Sequence, residues 1–341
     1  MIEQLLGWYT GLTDTLTGSL VLFAVGVLLL IKGGDWFVDS AVGIAKRFRV
    51  PEIIIGATVV SIGTTLPEVM VSVTAAVNQN GAIAYGNAIG SIICNTALIA
   101  ALSIAISPAP VDRKTIKTPV LFFFASAAIY MVAAYGFGRF DRWLGIVMLL
   151  VFCAFMTMTI RNGFKNPAQP HGDEDEGESN PLVKDLIVLV LSAALIAVGA
   201  DMLEGSSVSL ATMAGIPTEV VGVTVVALCT SLPELVTAVT ALAKGHGALS
   251  LGNIIGANIF NLVLVSGAAV TISPFVVPEG SKLLGYNTSQ LVEIPLMVGV
   301  MALMTLPALF KGRLRRWQGI VLLGIYAAFV ALQVMIALHV V

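Results

Sequence analysis

Apolar residues fill this chain in long runs, broken by short polar stretches. At roughly 20 apolar residues per membrane span, the runs predict ten helices, near 18–45, 52–78, 81–107, 115–135, 140–161, 184–211, 218–243, 247–273, 288–311 and 313–338. The breaks carry turn chemistry. Asn78-Gln79-Asn80-Gly81 parts the second run from the third, and Lys244-Gly245-His246-Gly247 parts the seventh from the eighth. One break differs in kind: Asn162 to Pro181 holds Pro, Gly and the acidic run Asp173-Glu174-Asp175-Glu176, and reads as a solvated linker. The fold expected is an all-α polytopic membrane protein.

The pattern repeats itself. Gly56 to Asn95 contains GATVVSIGTTLPEV and then GNAIGSIICN, and Gly222 to Asn261 contains GVTVVALCTSLPEL and then GNIIGANIFN. A shift of about 166 residues, the distance from Glu68 to Glu234, superimposes them without a gap. It also places Gly33 and Asp35 on Gly199 and Asp201, and Ser107-Pro108 on Ser273-Pro274. Each half therefore holds five spans. An odd number makes the second half enter from the opposite side, the inverted-topology build of many secondary transporters. The expected units are a repeat over 1–161, an acidic linker over 162–183 and a second repeat over 184–341.

Composition sharpens this in one respect. Of 341 residues 57% are hydrophobic and 11% charged, against roughly a quarter charged in soluble domains. No basic patch interleaves with aromatics, so nucleic acid is not an expected partner. Charge placement sets orientation. With the N-terminus outside, the inner loops hold Lys46, Arg47, Arg49, Arg113, Lys114, Lys117, Arg161, Lys165, Lys184, Lys244, Lys311, Arg313, Arg315 and Arg316. The outer loops hold Arg139, Arg142 and Lys282. The bias places both termini outside and the acidic linker inside, in a cell inner membrane. No signal peptide is expected, because the first seventeen residues carry no Lys or Arg. Cys94, Cys153 and Cys229 lie in apolar runs and are expected to be small buried packing residues rather than disulfide partners.

Each repeat sets one Glu inside an apolar run, a costly placement that marks a functional site. Thr64 and Thr65 precede Glu68 by four and three residues and share its helix face. Pro67 cannot donate to the carbonyl of Gly63 and is expected to kink the helix, baring carbonyls beside the carboxylate. Thr230, Ser231, Pro233 and Glu234, with the carbonyl of Cys229, are expected to repeat the arrangement. The next helix adds Asn87, Ser91 and Asn95 at every fourth residue. Asn253 and Asn261 repeat this stripe, with Ala257 in place of the serine. Asn87 and Asn253 are equally readable as bonds to a neighbouring helix. Gly86 and Gly90, like Gly252 and Gly256, permit close helix approach. All these donors are hard oxygens, which suit Ca²⁺ and Na⁺; zinc or copper would want His or Cys. Two carboxylates balance one Ca²⁺ or two Na⁺, and a third Na⁺ leaves one net positive charge. One site can thus hold either load in turn.

At these residues the sequence resembles the calcium/cation antiporter superfamily, in its bacterial sodium/calcium exchanger branch. GTTLPEV with GNAIGSIICN and CTSLPEL with GNIIGANIFN carry the resemblance, supported by KGGDWFVDSA and VGADMLEGSS. It implies a ten-helix fold, antiport of Na⁺ against Ca²⁺, no cofactor, and gating by sliding of the first and sixth helices. By motif position it implies Thr64, Thr65, Glu68, Ser91 and Asn95 as ligands in the first repeat, and Thr230, Ser231, Glu234 and Asn261 in the second. Three positions depart from the pattern. Cys229 stands where Gly is frequent. Asn261 stands where some members carry Asp, which argues against potassium coupling. Ala257 replaces a serine that helps form an outer sodium site in some relatives. A proton-coupled exchanger would carry acids in the GN helix, which this chain lacks. An intramembrane enzyme would need a nucleophile–base pair or a His-ligated metal, and no span offers one. A passive channel is the third alternative.

Overall fold

The computed structural model describes residues 11, 13–108, 110–165, 181–215, 227–278, 282–283 and 286–338. Its helices are α1 Leu16–Phe48, α2 Glu52–Val77, α3 Gly81–Ile106, α4 Arg113–Phe137, α5 Arg142–Lys165, α6 Leu182–Met213, α7 Leu232–Ala243, α8 Gly247–Ile272, α9 Ser289–Lys311 and α10 Arg316–Ala337. Among the described residues nine of these are long and apolar enough to cross a membrane; α7, preceded by the helical turn Ala227–Cys229, is the shorter one. The start of the expected 218–243 span, with Gly222, lies outside the described residues. So does most of the acidic linker, whose expected ends are helical: α5 runs to Lys165 and α6 begins at Leu182. Burial corrects one reading: Cys94 and Cys229 are buried, but Cys153 faces outward from α5. An apolar run in a bilayer has a lipid face as well as a core face.

Two features departing from a purely helical chain reveal the repeat relation. Strands β1 Arg139–Phe140 and β2 Phe275–Val276 pair antiparallel, with Arg139 opposite Val276. On another pair of loops, Pro110 bridges Arg313. The repeat shift carries Pro110 onto Val276, and Arg139 corresponds to Arg313 after a small insertion, so the two bridges are images of each other. Strands β3 Lys282–Leu283 and β4 Tyr286–Asn287 form a separate small hairpin.

Helices α1 and α6 cross at reciprocal glycines. A Cβ on Gly26 would lie 2.9 Å from the Gly199 carbonyl oxygen, and one on Gly199 would lie 2.9 Å from that of Gly26. A Cβ on Gly33, the counterpart of Gly199, would lie 2.9 Å from Ile196 Cγ1 and 3.2 Å from the Ser192 carbonyl oxygen of α6. Backbones approach this closely in membranes only over small residues. The α7–α8 turn is tied to α1, since Lys244 Nζ lies 2.8 Å from Asp39 Oδ1 and donates to the Asp35 carbonyl at 3.0 Å. The same turn is tied to the start of α2 by His246 Nδ1, 2.8 Å from Glu52 Oε1.

Candidate functional site

Helices α2, α3 and α8 carry local windings that the sequence did not announce. In α3 the winding loosens to a π-helix over Asn95–Ala100, in α8 over Asn261–Val265, and in α2 over Gly56–Val60. The first two begin at the asparagines expected as ligands. Such bulges add a residue to a turn and are frequent at functional sites. Serines steady two of them: Ser61 Oγ donates to the Gly56 carbonyl at 2.8 Å and Ser266 Oγ to the Asn261 carbonyl at 2.9 Å.

Glu68 and Glu234 are both 0% exposed and interact with each other electrostatically. Thr65 Oγ1 donates to Glu234 Oε1 at 3.4 Å, joining the repeats at the carboxylates themselves. Thr64 Oγ1 donates to Asn253 Oδ1 at 3.2 Å. Ser91, Asn95, Ser231 and Asn261 are buried as well, and Thr230 is half-buried. Buried polar atoms normally find partners, since leaving one unpaired costs about 1–3 kcal/mol. Here both oxygens of Glu68, Oε2 of Glu234, the hydroxyls of Ser91 and Ser231, and the side-chain amides of Asn95 and Asn261 have none within the protein. Eight of the nine expected ligands are thus buried, and six carry unspent oxygen. That donor set fits a desolvated hard cation. Among the described residues no three His, Cys, Asp or Glu side chains gather as a metal cluster. The donors are instead two acids set among hydroxyls and amides.

The expected symmetry of the two kinks is not observed. Helix α2 continues through Pro67 as regular α-helix from Ser61 to Val77. In the second repeat the helix breaks at Thr230–Ser231, and α7 restarts with Pro233 in its first turn. Proline is tolerated there, because a first-turn N–H has no helical acceptor anyway.

The amides also part company. Asn87 Nδ2 donates to the Glu68 carbonyl at 3.1 Å and to Ser72 Oγ at 2.9 Å. Asn253 lies instead against Ser61, whose Oγ is 3.0 Å from its carbonyl and 3.3 Å from its Oδ1. Both therefore act as interhelical bonds to α2. Ser61 was not expected at the site, although positions 61, 64, 65 and 68 share one helix face. Thr237 was missed too; it lies three residues beyond Glu234, buried, its hydroxyl unpartnered.

The profile of the family described as sodium/calcium exchanger protein matches residues 18–161 and 184–335. The chain belongs to the sodium/calcium exchanger family. Sodium/calcium exchanger MaX1 of Methanosarcina acetivorans is 31% identical over 353 aligned residues, covering 92% of this chain and 98% of that one. Inner membrane protein YrbG of Escherichia coli is 32% identical, covering 80% of this chain and 86% of its own. A solved structure of the sodium-calcium exchanger NCX_Mj, soaked with Na⁺ and Sr²⁺, matches with a TM-score of 0.77 at 32% identity, over 93% of this chain and 99% of that one. A Ca²⁺-soaked form of the same exchanger matches with a TM-score of 0.74 at 31% identity. The fold is that of a multi-pass membrane exchanger, an all-helical chain of inverted repeats.

Proposed function

We propose that this chain is a sodium/calcium antiporter that moves Ca²⁺ and Na⁺ alternately through one site shared by its two repeats. The observation that carries the reading is the pair of fully buried, mutually facing carboxylates, Glu68 and Glu234, ringed by hydroxyls and amides without protein partners. Two like charges held out of water repel strongly at short range. A divalent cation, or two monovalent ones, cancels that repulsion, so the site favours being loaded with either substrate over being empty. Thr64, Thr65, Ser91 and Asn95 complete the shell from the repeat over 1–161. Thr230, Ser231 and Asn261 complete it from the repeat over 184–341. Residues 162–183 join the halves on the cytoplasmic side. Both termini face outward across a cell inner membrane, as the distribution of Lys and Arg supports.

The test is ⁴⁵Ca²⁺ uptake into proteoliposomes. An imposed outward Na⁺ gradient is expected to drive uptake, and a proton gradient of the same size is not. Uptake driven by protons alone would make the chain a proton-coupled exchanger. Uptake that is indifferent to either gradient would make it a uniporter.

A further inference from the structure

Outside the ion site, one groove combines an apolar wall with an uncompensated charge. It lies between α1 and α6, has a volume of about 730 Å³, and runs along α6 from Lys184 to Val198. At 1.5 Å per residue that is about 21 Å of helix. One leaflet of hydrocarbon is roughly 15 Å deep, so the groove spans a single leaflet once helix tilt is allowed for. Its wall is apolar, with Trp36, Leu191 and Val198 all turned outward. Its polar end carries Asp39, Lys184 and Asp185. Asp39 is already paired with Lys244. Asp185 is different. It is only 7% exposed, lies against α1 where a Cβ on Gly43 would be 3.0 Å from its Oδ2, and makes no side-chain hydrogen bond or ion pair among the described residues. A buried carboxylate without a partner is costly, and here it opens onto a groove of lipid dimensions beside a lysine.

We propose that this groove binds a zwitterionic aminophospholipid, phosphatidylethanolamine, from the leaflet at the Lys184 end. One acyl chain lies along Trp36, Leu191 and Val198. The primary ammonium meets Asp185, with the phosphate at the Lys184 end of the groove. Charge complementarity selects this headgroup. Phosphatidylglycerol brings a phosphate and no cation. Phosphatidylcholine brings a cation with no N–H to donate.

Native mass spectrometry of the full-length chain with equal amounts of the three lipids tests this. The wild type is expected to retain phosphatidylethanolamine about tenfold over the other two, the scale of one hydrogen bond to a charged group. Asp185→Asn, which keeps shape and removes charge, is expected to bring the three lipids to parity. Ala194→Trp, which fills the groove, is expected to lose all three. Both variants should elute as the wild type does in size exclusion. If Ala194→Trp does not, Leu191→Trp takes its place. Equal retention of the lipids by the wild type, or an undiminished preference in Asp185→Asn, would overturn the proposal. So would retention by the groove-filled variant.

Discussion

The two glutamates sit in matched sequence but not in matched structure. Glu68 stands on a helix that runs unbroken from Ser61 to Val77, while Glu234 stands just past a break at Thr230–Ser231. The reason is readable in two pairs of residues. Ser61, which engages Asn253 of α8, corresponds to Ala227; Ser72, which engages Asn87 of α3, corresponds to Ala238. Alanine offers neither amide a hydrogen bond. Both asparagines, one from each repeat, thus fasten onto α2. Close packing also joins α2 to α8. A Cβ on Gly56 would lie 2.3 Å from the Leu249 carbonyl oxygen, and one on Gly252 would lie 2.2 Å from that of Ile53. The repeat thus delivers equal charge to the site from one continuous helix and one interrupted just before its acid.

The comparison can be tested from its strongest consequence to its weakest. If the carboxylates share one cation, their unequal settings do not matter: Glu68→Gln and Glu234→Gln should each lower Na⁺-driven ⁴⁵Ca²⁺ uptake by at least about a hundredfold, the scale of breaking a buried charge pairing. Substantial exchange in either variant would end the shared-site reading. Packing of α2 on α8 should show in stability. Gly252→Ala must push the α2 and α8 backbones apart and should cost about 1–3 kcal/mol. The melting temperature of the detergent-solubilised variant should fall, and an unchanged one would count against the close approach.

Smaller effects address the fastening itself. Ser61→Ala and Ser72→Ala each delete one interhelical hydrogen bond and should cost about 1 kcal/mol. The drop in melting temperature should be visible for both and smaller than that of Gly252→Ala. Ala257→Ser places on α8 the hydroxyl that the first repeat has in Ser91. It should tighten the apparent Na⁺ affinity about fivefold, the worth of one added neutral contact, and leave that for Ca²⁺ nearly unchanged. Titrating external Na⁺ against Ca²⁺ efflux checks this. A larger change for Ca²⁺ than for Na⁺ would mean that Ala257 does not face a sodium position.

The spans are legible in the sequence because a bilayer leaves helices little choice: the expected 81–107 and 247–273 match α3 and α8 to within a residue. The acids and most of their neighbours are legible because a membrane-buried Glu is costly, and a doubled motif would not keep two of them without a charge to hold. The π-windings at Asn95 and Asn261 are not, since no residue type requires them and tertiary packing decides them. The unequal kinks are hidden for the opposite reason. TTLPE and TSLPE look alike, and the difference arises from serines seven residues before and four residues after Glu68, whose partners lie on other helices. Cys153 escapes the sequence pattern because hydropathy in a membrane does not distinguish core from lipid.

The paired bridges have a consequence for assembly. Arg139 of the first repeat holds Val276 of the second, and Pro110 of the first holds Arg313 of the second. Neither repeat can close these loops with its own strands. A gene divided between Lys165 and Pro181 should therefore make two fragments that degrade when produced singly and persist when produced together, recoverable as one complex through a tag on either. Two fragments that each survive alone would mean that the loops embrace without being needed. The chain is built less as two stacked halves than as two hands clasped at both wrists.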